Sequence, residues 1–199
     1  MEGFFTMEKL SKSAEKSKIR SEIKKLNVNF DPEKKVKRDQ IINNYLYAWI
    51  KSNNIKIIAL YLALSDEVDL TSLILRLHKE KYQICAPRYN HLNNSYSFSL
   101  MNSLSNLKSA KYNINEPRGD IINTNDTDLM IIPGVAFNHQ GIRLGRGKGY
   151  YDKLLKNYTG VRIGVSSNYQ IMKKIPYDVW DEKVDWICNE LDGMYNCNN

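Results

Sequence analysis

The most constraining stretch of this chain runs from residue 128 to residue 160. Asp128-Leu129-Met130-Ile131-Ile132 is an apolar run of strand length, broken by Pro133-Gly134. Farther on, Gly145, Gly147 and Gly149 occupy alternate positions, with Arg146 and Lys148 between them, Arg143 just before and Asp152 just after. Tyr151, Leu154, Leu155 and Tyr158 then recur at helical spacing until Gly160 stops them. A buried strand that leads through a glycine loop into a helix belongs to an α/β architecture, where helices cross between parallel strands.

The chemistry of that loop points to phosphate. Glycine lets the backbone approach a ligand closely and take positive φ. Backbone N–H groups in such a loop point at phosphate oxygens, and Arg143, Arg146 and Lys148 add charge. Asp152 contributes a hard oxygen of the kind Mg2+ takes alongside phosphates. The alternative is an ordinary surface turn, which a single glycine pair would indicate. Two common phosphate motifs do not fit. Ile142 stands where a P-loop needs its first glycine, and Gly149 where it needs Ser or Thr. Tyr150 stands at the last glycine of the dinucleotide pattern.

The remaining elements support one α/β domain over residues 1–199, with residues 1–10 expected to be disordered. Ser11 to Leu26 reads as a helix with a narrow stripe of Ile19, Ile23 and Leu26. Asp31 is a good N-cap before Pro32, and a second helix runs to about Ser52 with Val36, Ile41, Ile42, Leu46 and Trp49 as its core side. Strands are expected over Ile55–Leu64, Tyr82–Ala86, Tyr96–Met101, Asp128–Ile132 and Val161–Val165, with a helix over Leu70–Lys81. The expected fold is a mixed, mostly parallel sheet with helices on both faces.

With 42 % hydrophobic residues and 13 Tyr, the chain is globular rather than disordered. Its net charge of +7 suits an anionic partner of some kind. Cys85, Cys188 and Cys197 are odd in number and lack C-x-x-C spacing, which argues against a disulfide framework or a zinc site and fits a reducing cytosol. The N-terminus lacks a secretory pattern, and the apolar run Ile57–Leu64 is too short to span a bilayer.

Lys16 and Arg20 share one face of the first helix, although lysine-rich helix faces are usually just solvated. Glu67 follows a strand, where α/β sheets bind ligands, but Ser65 to Asp69 also suits the start of the next helix. His78, His91 and His139 read as solvated, and no Ser-His-Asp or Cys-His arrangement stands out.

Pro133-Gly134, Phe137, Gly141 and the unbroken run Arg143-Leu144-Gly145-Arg146-Gly147-Lys148-Gly149-Tyr150-Tyr151-Asp152 resemble the motif of the 5-formyltetrahydrofolate cyclo-ligase family, also called 5,10-methenyltetrahydrofolate synthetases. Asn138 replaces an Asp common in that family. The resemblance implies that ATP lies against Lys16, Arg20, Arg143, Leu144, Gly145, Arg146, Gly147, Lys148, Gly149 and Tyr151, with Arg146 and Lys148 acting in catalysis. It places folate against Leu62, Glu67 and Tyr150, and Mg2+ on Asp152 and Asp185. Arg88 is a second-rank candidate. Trp180 replaces a frequent His, and Asn189-Glu190 a frequent Thr-Glu.

The implied reaction converts 5-formyltetrahydrofolate and ATP to 5,10-methenyltetrahydrofolate, ADP and phosphate. The implied partners are ATP and the folate, with or without a polyglutamate tail. A cytoplasmic monomer that binds neither nucleic acid nor membrane is expected. The rival reading is a non-catalytic basic protein that holds RNA or a nucleotide through the same cations.

Overall fold

The computed structural model describes residues 2–28, 31–90, 94–103, 108–109 and 115–198. His91 lies outside the described residues. Helix α1 (Glu2–Val28) begins ahead of Ser11, within the stretch expected to be disordered. Helix α2 (Pro32–Ser52) starts as expected, with the Asp31 carboxylate accepting the Glu33 amide at 2.9 Å. Helices α3 (Thr71–Lys79) and α4 (Tyr150–Leu155) are short. The strands are β1 (Ile57–Ala59), β2 (Gln83–Asn90), β3 (Ser95–Leu100), β4 (Lys108–Ser109), β5 (Asn115–Glu116) and β6 (Ile121–Ile122). After them come β7 (Leu129–Pro133), β8 (Ala136–Phe137), β9 (Arg143–Leu144), β10 (Val161–Val165), β11 (Trp186–Asn189) and β12 (Gly193–Asn196).

Eight strands form the main sheet in the order β12-β11-β10-β7-β1-β2-β3-β6. Its centre, β11 to β2, is parallel, while β12 pairs antiparallel with β11, and β3 with both β2 and β6. Buried Leu129 and Ile131 of β7 face one core, and Met130 and Ile132 face the other, as the period of two demands. α2 and α3 cover the first face, where Ile42, Leu46, Leu73 and Leu77 are buried. The second face is covered by α4 and the β8–β9 hairpin. α1 lies outside that hairpin and sets Ile19 and Ile23 on Ala136, Ile142 and Leu144. The expected mixed α/β sheet with helices on both faces is therefore present.

Three local expectations change. β1 stops at Ala59 rather than Leu64. The Leu60 amide still reaches the Cys85 carbonyl at 3.0 Å, but the next donor in that ladder would be Pro87, which has no N–H. The chain is thereby released to wall a pocket. In α2 the buried stripe is Ile42, Leu46 and Ile50, at intervals of four, so Val36 and Ile41 stand off it and are exposed. α4 ends at Leu155, ahead of the helical spacing that ran to Tyr158.

Phe137 holds the hairpin to the sheet. Its ring is fully buried and lies over Gly164, where a β-carbon would stand 2.5 Å from it. Phe137→Ala is expected to cost about 3–5 kcal/mol of stability. Urea unfolding measures this, and a loss below about 1 kcal/mol would show that the hairpin is anchored elsewhere.

Candidate active site

The carboxyl ends of β1, β2 and β7 open onto a pocket of about 380 Å3. That is where open α/β sheets bind ligands, and the volume lies in the range of small-molecule sites. Tyr61, Leu62, Leu64 and Glu67 come from the segment after β1, Pro87 from β2 and Tyr96 from β3. Pro133, Gly134, Arg143 and the glycine loop through Leu154 complete the wall. Sequence reasoning reached Leu62 only through the resemblance, offered Glu67 from its place after a strand as well, and missed Pro87 and Tyr96. The Ser-alternating pattern of β3 was the one available signal for Tyr96, because it marks which residues share a face.

The loop is fixed at its base. Arg143 sits on β9, 7 % exposed, and its Nη2 donates to Asp152 Oδ1 at 2.6 Å. Its Nη1 reaches the Pro133 carbonyl at 3.4 Å. The strand entering the loop and the helix leaving it are thus tied together. Gly147 and Gly149 take φ of +96° and +64°, so a side chain at either would strain the turn. The Arg20 Nε of α1 donates to the Gly145 carbonyl at 2.9 Å, which brings a residue remote in sequence onto the loop. Burial pulls the Arg20 guanidinium somewhat below its usual range.

Arg146 crosses the pocket mouth. Its Nη2 donates to Asp66 Oδ1 at 2.6 Å and to Glu67 Oε1 at 3.1 Å. Asp66 gave no sign in the sequence, since it is one of three acidic residues in a row of turn formers. Glu67 Oε2 accepts the Leu64 amide at 2.9 Å. Burial pushes the Glu67 carboxyl above the usual carboxylate range, and the Leu64 N–H and the Arg146 charge offset only part of that. Tyr151 is raised too, by burial first and then by the Glu67 charge. Tyr150 meets Tyr96 edge to face at 4.6 Å, with Lys148 Nζ 5.9 Å from the Tyr150 ring centre.

Other expected residues are placed elsewhere. Lys16 pairs with Asp178 at 2.8 Å and Asp181 at 2.5 Å, and neither it nor Arg20 lines the pocket, although Arg20 reaches the loop. Burial opposes the Lys16 charge, but hydrogen bonds to the two carboxylates outweigh that and hold its pKa above the usual lysine range. Leu144 is buried against α1 with its carbonyl on the Val135 amide at 2.7 Å. Arg88 is exposed, because its neighbour Pro87 takes the inward position on β2.

Asp185 is not brought to Asp152. It stands just before β11, and its carboxylate accepts the Arg162 amide near the start of the parallel neighbour β10, at 2.8 Å. That is the amino end of these parallel strands, away from the carboxyl ends that open onto the pocket. His139 is exposed at the hairpin tip, His78 is half-buried on α3, and neither lines the pocket.

Residues 12–190 match the model of the 5-formyltetrahydrofolate cyclo-ligase family. A mouse protein named 5-formyltetrahydrofolate cyclo-ligase is 30 % identical over 189 residues, covering 86 % of this chain and 92 % of that one. The NMR structure of Aquifex aeolicus 5,10-methenyltetrahydrofolate synthetase superposes with a TM-score of 0.83 at 31 % identity, over 92 % of this chain and 93 % of that one. A 5,10-methenyltetrahydrofolate synthetase from Mycoplasma pneumoniae gives 0.74 at 27 % identity, over 88 % of this chain and 98 % of that one. The chain belongs to the 5-formyltetrahydrofolate cyclo-ligase family.

This cyclo-ligase family is one of enzymes, and the pocket is where chemistry can be placed in this member. Magnesium fits its donors in one way. Asp152 lines the pocket with a single carboxylate, and its Oδ2 is the atom facing Gly149. Among the described residues no group of three His, Cys, Asp or Glu is placed to hold a metal. Asp152 would hold such an ion together with phosphate oxygens and water, the ligands Mg2+ usually takes. No helix among the described residues is long and apolar enough to cross a membrane.

The raised carboxyl of Glu67 has a consequence for stability. The folded protein holds that proton to higher pH than the unfolded chain does, so stability falls as pH rises out of the usual carboxylate range and through the raised value of the folded state. Glu67→Gln removes this loss. Urea unfolding from pH 4 to pH 7 is expected to show the parent losing stability relative to Glu67→Gln as pH climbs. A constant gap, or one of opposite sign, would contradict the assignment.

Proposed function

We propose that this chain catalyses the ATP- and Mg2+-dependent closure of 5-formyltetrahydrofolate to 5,10-methenyltetrahydrofolate, releasing ADP and phosphate. The observation that carries the reading is a single pocket with two chemically opposite walls. One wall is the cationic glycine loop. The other is a largely shielded carboxylate, Glu67, set among Tyr61, Leu62 and Leu64. Triphosphate suits the first wall, and a ring edge with N–H donors suits the second.

The chemistry explains the need for ATP. The N5-formyl group is an amide, and closing the ring onto N10 must expel its oxygen. Transfer of the γ-phosphoryl to that oxygen turns it into a good leaving group. N10 then attacks the formyl carbon as a neutral amine, and phosphate departs with the oxygen while taking up the proton that N10 loses. A strong general base is unnecessary, in keeping with a pocket that no described histidine lines.

Phosphoryl transfer asks the protein for positioning and charge neutralisation. Arg20 and the Gly145–Gly149 backbone cradle the phosphates in this proposal, and Arg146 and Lys148 follow the charge that moves to the formyl oxygen. Arg143 lies deeper and holds Asp152, the residue that would hold magnesium. When bound, that ion neutralises phosphate charge. Lys16 anchors α1 through Asp178 and Asp181 and so keeps Arg20 at the loop. Tyr151 supports the loop, and Leu62, Glu67 and Tyr150 hold the folate. The cytosol is the fitting location, since all three cysteines are free thiols.

The test is the reaction. Near-ultraviolet absorbance of the methenyl product should rise only when ATP, Mg2+ and the 5-formyl isomer are supplied together. Asp152→Asn in the same assay should lower turnover by about two orders of magnitude or more, as the loss of a charge stabilising the transition state does. No rise with folded protein would overturn the assignment. Undiminished turnover in Asp152→Asn would leave Asp152 a loop-building residue only.

A further inference from the structure

Arg146 joins two segments that the proposed reaction uses for different substrates. Its Nη2 lies 2.6 Å from Asp66 Oδ1 and 3.1 Å from Glu67 Oε1, and its Nε lies 3.3 Å from the same Glu67 oxygen. The guanidinium therefore spans from the glycine loop to the turn after β1. A triphosphate on the loop and this carboxylate pair compete for one planar fork of donors. The Glu67 side chain is only 12 % exposed, so when Arg146 leaves, its carboxylate needs another donor. The N–H edge of a bound pterin is such a donor, on the functional reading above, on which this inference rests.

We infer that Asp66 is a positioning residue that parks Arg146 on Glu67 in the ligand-free enzyme and so couples the two substrate sites. ATP draws Arg146 off, and Glu67, left with the Leu64 N–H, takes the folate more readily. Folate on Glu67 likewise releases Arg146 to the phosphates. The two effects must be equal in size, because coupling between binding sites is reciprocal. Asp66 is 37 % exposed and is not part of the pocket wall, so it acts on the substrates indirectly, through Arg146 and through its charge beside Glu67.

The experiment is equilibrium binding to the full chain by calorimetry. The affinity for 5-formyltetrahydrofolate is measured with and without Mg2+ and the non-hydrolysable β,γ-imido analogue of ATP. In the parent enzyme the analogue is expected to tighten folate binding about fivefold or more. In Asp66→Asn, the analogue alone should bind more tightly than to the parent, and its effect on folate should shrink to what the direct Arg146–Glu67 contacts sustain. Asp66→Glu should restore the coupling. A parent enzyme that binds and turns over both substrates without coupling would overturn the parking role alone. So would an Asp66→Asn variant coupled as strongly as the parent. A parent that binds neither ligand would overturn the functional reading itself.

Discussion

The site depends on one ion pair, between Arg143 and Asp152. The Arg143 side chain is 4 % exposed, and that of Asp152 is 24 % exposed. Buried pairs of this kind contribute little net stability, because desolvation offsets most of their attraction. Their effect here is geometric. The pair closes a loop that leaves β9 and enters α4, and it leaves the intervening backbone one compact path. Gly147 and Gly149 follow that path with positive φ. Without the pair, Asp152 would turn to solvent and a buried guanidinium would lose its carboxylate, which is the costly outcome for such sites.

The rest of the fold delivers partners to that loop. The β8–β9 hairpin lies on the sheet through Phe137, and α1 lies on the hairpin through Ile19 and Ile23. That second contact places Arg20 on the Gly145 carbonyl. Lys16, one turn away, fastens the same helix to Asp178 and Asp181. On the other side of the pocket, Pro87 ends the β1 ladder and frees the segment that carries Asp66 and Glu67. Both walls thus follow from ordinary backbone chemistry, a hairpin on one side and a missing N–H on the other.

Much of this was legible in the sequence. The apolar run into β7, the alternating glycines and the helical spacing after them located the loop, and the α/β fold followed. Single-residue placements were less legible. Asp185 reads like Asp152, a lone carboxylate near a structured segment, and only the strand register shows that it stands at the amino end of the parallel strands. Lys16 shares a helix face with Arg20, yet its longer-range partners Asp178 and Asp181 take it. Asp66 had no local signal, because the choice among neighbouring carboxylates is made by a guanidinium 80 positions away in sequence. Local patterns fix elements, whereas these pairings depend on how the elements pack.

The central claim is that one pocket holds two substrates on opposite walls. Equilibrium binding of each ligand alone tests it most directly, using Arg20→Ala and Glu67→Gln. Charged hydrogen bonds of this kind contribute about 1.5–3 kcal/mol, or roughly ten- to a hundredfold in affinity. Arg20→Ala should weaken ATP by that factor and leave folate binding unchanged. Glu67→Gln should weaken folate by a similar factor without weakening ATP. Two variants that both weaken the same ligand, or an Arg20→Ala variant with parental ATP affinity, would contradict the account.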